Sequence, residues 1–413
     1  MSPEGQQAVA CDGPDMCGEF WERDTTGARI MRSVGDYDIP FNRPGFEGRE
    51  REYMAAALDA GHISGNGAFT KQAEACLEQV LGVPKVLLTT SCTDALELAA
   101  LLLDLEPGDE VVMPSFTFVS TANAFALRGA RPVFADIRED TLNLDERLLP
   151  PLVGERTRAI VPIHYAGVGC EMDEVLRIAG EAGAAVVEDN AHGLFGHYRG
   201  RLLGTFGRLA TQSFHETKNI TCGEGGALVV NDPGLVERAE IVREKGTDRA
   251  RFLRGQVDKY TWTELGSSFL PSDLLAAVLC GQLDEREGIQ VRREAIWNRY
   301  RDGLLGWSGK HGVRLPFVPG HTDQTFHMFY LLLPSGAARD RLIAHLRERR
   351  ILAVFHYVPL HLSPMGARYG GRAGDCPVAE RVSTSLVRLP FYNQLPAADQ
   401  DRVIEAVTEF DQF

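Results

Sequence analysis

The sequence of 413 residues predicts an α/β protein, a large domain on a mainly parallel sheet followed by a smaller C-terminal α+β domain. Three observations predict it. From about residue 50, apolar runs of strand length alternate with longer segments of helical period. Each short run ends in polar or small residues, as strands do along the ligand-binding edge of such a sheet. With 44% hydrophobic residues and no internal repeat or low-complexity tract, the chain has enough apolar surface for a large core and a second, smaller one.

Residues 1–36 are polar, rich in Gly and Asp and without a sustained period, which predicts a loosely held extension ahead of a large domain at 37–300. The start lacks a basic stretch followed by an apolar run, so no secretory leader is expected. "KVLLTTS" (85–91) predicts a strand feeding the helix "CTDALELAALLLDL", with Ser91 or Thr93 able to cap its first turn. "DEVVMPSFTF" (109–118), "RPVFADI" (131–137), "TRAIVPIHYAG" (157–167) and "AAVVEDNAHG" (184–193) continue the series as buried strands, and "GALVVND" (226–232) precedes the next helices. Helices are expected near 234–245 and 272–298. Residues 301–413, with "HMFYLLLP", "RDRLIAHLRERR", "ILAVFHYVPL" and "AADQDRVIEAVTEF", form the expected small domain.

A formal charge of −14 disfavours nucleic acid and anionic membranes as partners, so an anionic ligand must be held by a local pocket. The longest apolar stretches are too short to span a bilayer. Eight cysteines without a CxxC pair fit reduced thiols, and a cytoplasmic protein is expected. His321 with His327, and His356 with His361, lack the spacing of a metal site, so no metal is expected.

Only six of the 43 basic residues are lysines, which draws attention to "SFHETKNITCGEGG" (213–226). Here Lys218 lies between the hydroxyls of Ser213 and Thr217 and a glycine-rich turn that allows close backbone approach to a bound group. A lysine buried at a strand end loses affinity for its proton and becomes a usable nucleophile. About thirty residues earlier, "VVEDNAH" puts Asp189 at the end of an apolar run. "TTSCTDAL" opens a helix with hydroxyls and free backbone N–H groups, a ready phosphate site. Each feature alone has an ordinary reading: a turn or capping Asp, a solvated Lys, a plain helix cap. In this order, with the aromatic "PSFTF" between them, they form the set that holds pyridoxal phosphate: a phosphate cradle, a ring-stacking aromatic, a carboxylate for the pyridinium nitrogen and a lysine for the aldehyde.

From about residue 39 to the C-terminus the chain resembles the DegT/DnrJ/EryC1/StrS sugar aminotransferases. The stretches that carry this are "VLLTTSCTDALELAALLLDLEPGDEVVMPSFTFVSTANAF", "IVPIHYAGVGCEMD", "SFHETKNITCGEGGALVVND", "REKGTDRARFLRGQVDKYTW" and "AVFHYVPLH". The resemblance implies the fold-type I pyridoxal-phosphate transferase architecture and a homodimer with active sites at the subunit interface. Within the family it is most similar to enzymes that aminate dTDP-4-keto-6-deoxyglucose at C4 with L-glutamate, giving the gluco or galacto 4-amino-4,6-dideoxy sugar. It further implies that Lys218 bonds the cofactor and carries protons, that Asp189 pairs with the ring nitrogen, and that His192 stands near the phenolic oxygen. Phe118, ahead of Phe116, would cover the ring, and Ser213, Cys92 and Thr93 would bind the phosphate. His215, His327 and His356 lie in family-like stretches and are candidates to line the sugar pocket. The basic cluster Arg243, Lys245, Arg251, Arg254 and Lys259 is the local source of charge for the diphosphate.

Two positions depart from the family pattern: "DNAH" stands where "DAAQ" is common, and Leu270 stands where many relatives carry a polar side chain that reaches the neighbouring subunit's phosphate. Three other readings compete: amination of another nucleotide-linked keto sugar, 3-keto or UDP-linked; a pyridoxamine-phosphate dehydratase, against which Lys218 argues; and a cofactor-binding regulator, which would show a basic surface or a helix-turn-helix.

Overall fold

The computed structural model describes residues 37–413, together with the backbone of two short strands, Phe20–Arg23 and Arg29–Arg32, which pair antiparallel. The extension expected over residues 1–36 otherwise lies outside the described residues.

Seven strands form the central sheet: β1 (Lys85–Thr89), β2 (Glu110–Pro114), β3 (Arg131–Ala135), β4 (Thr157–Ile160), β5 (Ala185–Asp189), β6 (Leu209–Ser213) and β7 (Gly226–Val230). Their spatial order is β1-β7-β6-β5-β4-β2-β3. β7 runs antiparallel to both of its neighbours and the other pairings are parallel. Most residues of β1, β2 and β4–β7 are buried because helices cover both faces of the sheet. Leu87, Val111, Ala159, Val187, Leu209 and Leu228 pack toward one side with the helices Cys92–Leu102, Val119–Ala126 and Val236–Arg243. Their neighbours of opposite parity face the other side. Val86, Leu88, Ala210 and Val229 meet the helices Ala68–Leu81 and Asp273–Asp284, while Val112, Ile160 and Val186 meet Met172–Ala182.

A second core joins the helices Arg286–His311, Gly336–Glu348 and Ala397–Thr408 to the two-stranded sheet of Tyr330–Leu332 and Leu386–Arg388, with Ile39 inserted from the start of the described chain. Helix Arg286–His311 runs through residue 300, so continuous helix connects the two cores there. Among the described residues, no helix is long and apolar enough to cross a membrane. The six described cysteines are unpaired.

Candidate active site

The carboxyl ends of β1, β5 and β6 converge on one edge of the sheet, and the sequence sets the local geometry of each. After β1, Ser91 adopts an extended backbone and its Oγ accepts the N–H of Asp94 at 3.0 Å, capping the helix Cys92–Leu102. Thr93 Oγ1 donates to Ser120 Oγ at 2.8 Å and Cys92 Sγ lies 3.6 Å from Thr211 Oγ1, joining the turn to the neighbouring helix and to β6. Burial pushes the Cys92 thiol up to about 12, with Asp189 adding to the shift, so it stays protonated. β7 starts hard against this helix: a Cβ on Gly226 would lie 2.4 Å from the backbone nitrogen of Cys92.

At the end of β5, strand alternation separates two adjacent carboxylates. Glu188 is fully buried and accepts from His164 Nε2 at 2.9 Å and from the N–H groups of Gly204, Phe206 and Gly207 at 2.6–2.8 Å. It is satisfied by the fold. Asp189, one residue on, faces the site, where its Oδ2 accepts from Thr121 Oγ1 at 2.7 Å. Its backbone is fixed by Pro162 and His164 on one side, and that of Asn190 by Thr211 on the other.

Ser213 ends β6 and pairs with Gly226, so the intervening segment closes as a loop that carries Lys218. The next residue anchors it: Asn219 donates to the Thr325 carbonyl at 2.7 Å, accepts from His327 Nδ1 at 2.9 Å, and its own carbonyl accepts from Asn393 at 3.1 Å. Burial lowers the Lys218 ammonium from 10.5 to about 8; the nearby Cys92 and Asp189 oppose this, and Arg388 adds to it. Lys218 therefore keeps a neutral fraction of roughly a fifth near physiological pH, as a group that must accept and return a proton requires.

Three imidazoles face this lysine. His192 stacks on His327 with ring centroids 4.2 Å apart and lies 6.4 Å from His356. Since Asn219 Nδ2 already donates, its Oδ1 is the acceptor and His327 Nδ1 carries the proton. His356 shares a 2.7 Å hydrogen bond with Tyr165 and stacks on Tyr357 at 3.5 Å. Burial drives all three well below the usual histidine range, and Lys218 and Arg388 push them further, so they are neutral. His192 Nδ1 is enclosed and has no partner among the described residues. Phe118 is 43% exposed beside Tyr357, ring centroids 6.4 Å apart, whereas Phe116 is buried in the core below. The sequence alone does not single out Tyr357 and Arg388, although both sit in apolar stretches where a polar end is unusual.

The structure thus brings together Lys218, Asp189, His192, Cys92, Thr93, Ser213, Phe118, His327 and His356. His215 lies at the rim, its Nδ1 3.0 Å from Thr217 Oγ1 and its Nε2 3.6 Å from Glu224. The expectation for Arg243 needs correction: its guanidinium is buried against Glu74 and bonds the Leu88 carbonyl, so it ties helix Ala68–Leu81 to β1 and is closed to a diphosphate. Lys245 and Arg254 are surface cations beside Glu244 at 3.6 Å and Glu240 at 2.8 Å. Leu270 packs against Gly65, where a Cβ would lie 2.7 Å from its own.

Residues 46–408 match the model of the DegT/DnrJ/EryC1/StrS aminotransferase family. The chain belongs to that family. It is 32% identical over 370 residues to GDP-perosamine synthase of Caulobacter vibrioides, covering 89% of this chain and 96% of that protein. Among solved structures it is similar to the aminotransferase TlmJ of Streptoalloteichus hindustanus (32% identity, TM-score 0.82, covering 90% of this chain and 98% of that one). It also resembles a Streptococcus pneumoniae chain described as a sugar aminotransferase, solved in pyridoxal- and pyridoxamine-phosphate forms; its pyridoxamine-phosphate form gives 26% identity and TM-score 0.84, covering 90% of this chain and 99% of that one. The protein is a pyridoxal-phosphate-dependent enzyme that transaminates keto sugars, with the fold-type I architecture. The residues present fit the cofactor: a capped helix start for a phosphate, Asp189 for the ring nitrogen, an exposed Phe118, an orphaned His192 nitrogen and a lysine of lowered proton affinity.

Proposed function

We propose that the enzyme transfers the amino group of L-glutamate to the C4 ketone of dTDP-4-keto-6-deoxyglucose, forming a 4-amino-4,6-dideoxy sugar nucleotide. The observation that carries this reading is the meeting at Lys218 of two stretches most similar to such enzymes, 213–226 and 353–361, through the His192, His327 and His356 rings.

Lys218 would hold the cofactor covalently, with Asp189 keeping its ring nitrogen protonated, His192 facing its phenolic oxygen and Phe118 covering its ring. Ser213, Cys92 and Thr93, with the first-turn N–H groups, would hold its phosphate. Bound there, pyridoxal phosphate supplies an electron sink for the carbon that gains or loses the amine. Lys218 Nζ would move the proton to and from that carbon, a role suited to its value of about 8. The neutral His327 and His356 offer hydrogen bonds to sugar hydroxyls without adding charge. The wall they form with Tyr165 and Tyr357 is buried and excludes water.

A homodimer is the proposed active unit. The segment 249–265 exposes Phe252, Leu253, Tyr260, Trp262 and Leu265, with Trp262 71% exposed, an apolar surface suited to a second copy. Light scattering of the purified protein at micromolar concentration tests this.

Absorbance of the pyridoxal-phosphate-loaded protein tests the reaction. L-glutamate is expected to bleach the visible band and dTDP-4-keto-6-deoxyglucose to restore it, with NMR of the product giving its C4 configuration. Restoration by a GDP- or UDP-linked keto sugar instead would overturn the substrate, and a band unmoved by glutamate would overturn the donor.

A further inference from the structure

Arg293 lies on the helix Arg286–His311, between Ile289, which packs beside the central sheet, and Ile296, which packs in the second core. It is 2% exposed. Phe391 covers its guanidinium, with the ring centre 4.7 Å away. Among the described residues no carboxylate pairs with it, and burial alone lowers its hold on its proton. Every nitrogen is nonetheless used: Nε donates to the Phe326 carbonyl at 2.9 Å, one terminal nitrogen to Asn393 Oδ1 at 2.6 Å, and the other to the His327 carbonyl.

These bonds close a ring. Asn393 Nδ2 donates to the Asn219 carbonyl, Asn219 Oδ1 accepts from His327 Nδ1, and the His327 carbonyl returns to Arg293. The loop that carries Lys218 and the segment that carries His327 are thereby tied to one guanidinium. Two features of the ring are unfavourable by themselves. Phe326 has a φ of +51°, in the left-handed region that a bulky side chain enters only at a cost. A full positive charge is buried with oxygen dipoles and no anion to balance it. Each supports the other, because both carbonyls that flank the strained turn accept from that charge. The product of this arrangement is the state of one imidazole: His327 stacks on His192 at 4.2 Å with its Nδ1–H committed to Asn219, which leaves Nε2 as an acceptor.

We propose that Arg293 is a positioning residue, clamping the strained Phe326–His327 backbone so that the His327 ring presents an acceptor nitrogen to a hydroxyl of the keto sugar. The sugar part rests on the reading above; the state of the His327 ring does not. A lysine cannot replace the clamp, since an ammonium lacks the planar fork that reaches two carbonyls and an amide oxygen together. Without the clamp, Phe326 relaxes to negative φ, His327 parts from Asn219, and the ring is free to turn or to take the other tautomer.

The test uses the pyridoxal-phosphate-loaded protein with its histidines labelled in nitrogen for NMR, together with Arg293→Lys, Asn393→Ala and His327→Phe, the last keeping a ring against His192 without a nitrogen. Wild type should show His327, assigned by its loss in His327→Phe, as one neutral form protonated on Nδ1. Arg293→Lys should turn that signal into a mixture of tautomers or into the Nε2–H form. It should also raise the half-saturating keto-sugar concentration about tenfold, with the glutamate concentration that half-saturates bleaching little changed. Combined with His327→Phe, Arg293→Lys should add little further to the keto-sugar effect, because both act through one ring. Asn393→Ala, which cuts one limb of the ring of hydrogen bonds and keeps the other two, should fall between wild type and Arg293→Lys, and it carries the test if Arg293→Lys does not hold the cofactor. A His327 signal that Arg293→Lys leaves unchanged, or effects of Arg293→Lys and His327→Phe that simply add, would overturn the proposal and leave Arg293 as support for the fold. If wild type does not use dTDP-4-keto-6-deoxyglucose, the substrate reading fails on its own while the His327 spectra still decide Arg293.

Discussion

The two walls of the site differ in how they are made. One wall, Cys92, Thr93, Asp189, Ser213 and Lys218, stands on the ends of sheet strands whose helices and turns begin within a few residues. The other wall is His327, His356, Tyr357 and Arg388, delivered by the C-terminal part of the chain and locked by contacts with distant residues: His327 with Asn219, His356 with Tyr165, Arg388 over Phe41. The first is polar, anchored by backbone and suited to a group that stays. The second consists of neutral rings beside one arginine, suited to ligands that come and go. Under the proposed function, chemistry is concentrated on the first wall and selection on the second.

That contrast is open to attack from either side. Under the proposed function Lys218 both holds the cofactor and carries the proton, so Lys218→Ala should lower turnover about 10³-fold or more, measured by single-turnover bleaching with glutamate. A smaller loss, comparable to that of a substitution on the second wall, would erase the distinction.

The burial of Lys218 should also be visible without catalysis, in the cofactor-free protein. Unfolded, this lysine keeps its ordinary value of 10.5, and folded it lies near 8. Between those values the unfolded chain binds more protons, so wild-type stability rises with pH across that window, and below it the full cost is present. Lys218→Met should accordingly be more stable than wild type at pH 7 by on the order of 1–3 kcal/mol, with the gap closing by pH 10. Urea unfolding at pH 7, 8.5 and 10 measures it, and a constant gap would refute the shift.

Gly226→Ala would press a methyl into the backbone of Ser91 and Cys92. Such overpacking costs about 1–3 kcal/mol, and here it should appear as a roughly tenfold or greater loss of pyridoxal phosphate affinity by fluorescence titration. Substrate saturation, once cofactor is added in excess, should be nearly unchanged.

Tyr165→Phe, on the second wall, leaves His356 without its partner. A buried hydrogen bond of this kind is worth roughly 1 kcal/mol, so the half-saturating keto-sugar concentration should rise a few-fold with cofactor affinity intact. If cofactor affinity falls instead, the walls are not separable.

The same division explains what the sequence made legible. The alternation of apolar runs specified the sheet strands, and Ser91, Asp189 and Lys218 announced themselves because each stands where a run stops. Arg243 misled for a physical reason: among the basic residues near 250 it looks like its neighbours, and only the folded chain reveals Glu74 beside it. Arg388 escaped because one arginine in "LVRLPF" reads as the end of an edge strand. Its place near Lys218 comes from contacts across the fold, which leave no mark on local sequence. Tyr357 was likewise overshadowed by the histidine before it.

The placement of β7 between β1 and β6 also bears on how the site is completed. The first strand of the sheet to be synthesised pairs with the last, so this register is a long-range event of the kind that slows folding. Until it forms, Gly226 is not seated against the Cys92 turn, although the loop with Lys218 is already closed by the local pairing of Ser213 with Gly226. The corner of the site built from Gly226 and the Cys92 turn is thus complete only when the last strand has inserted beside the first.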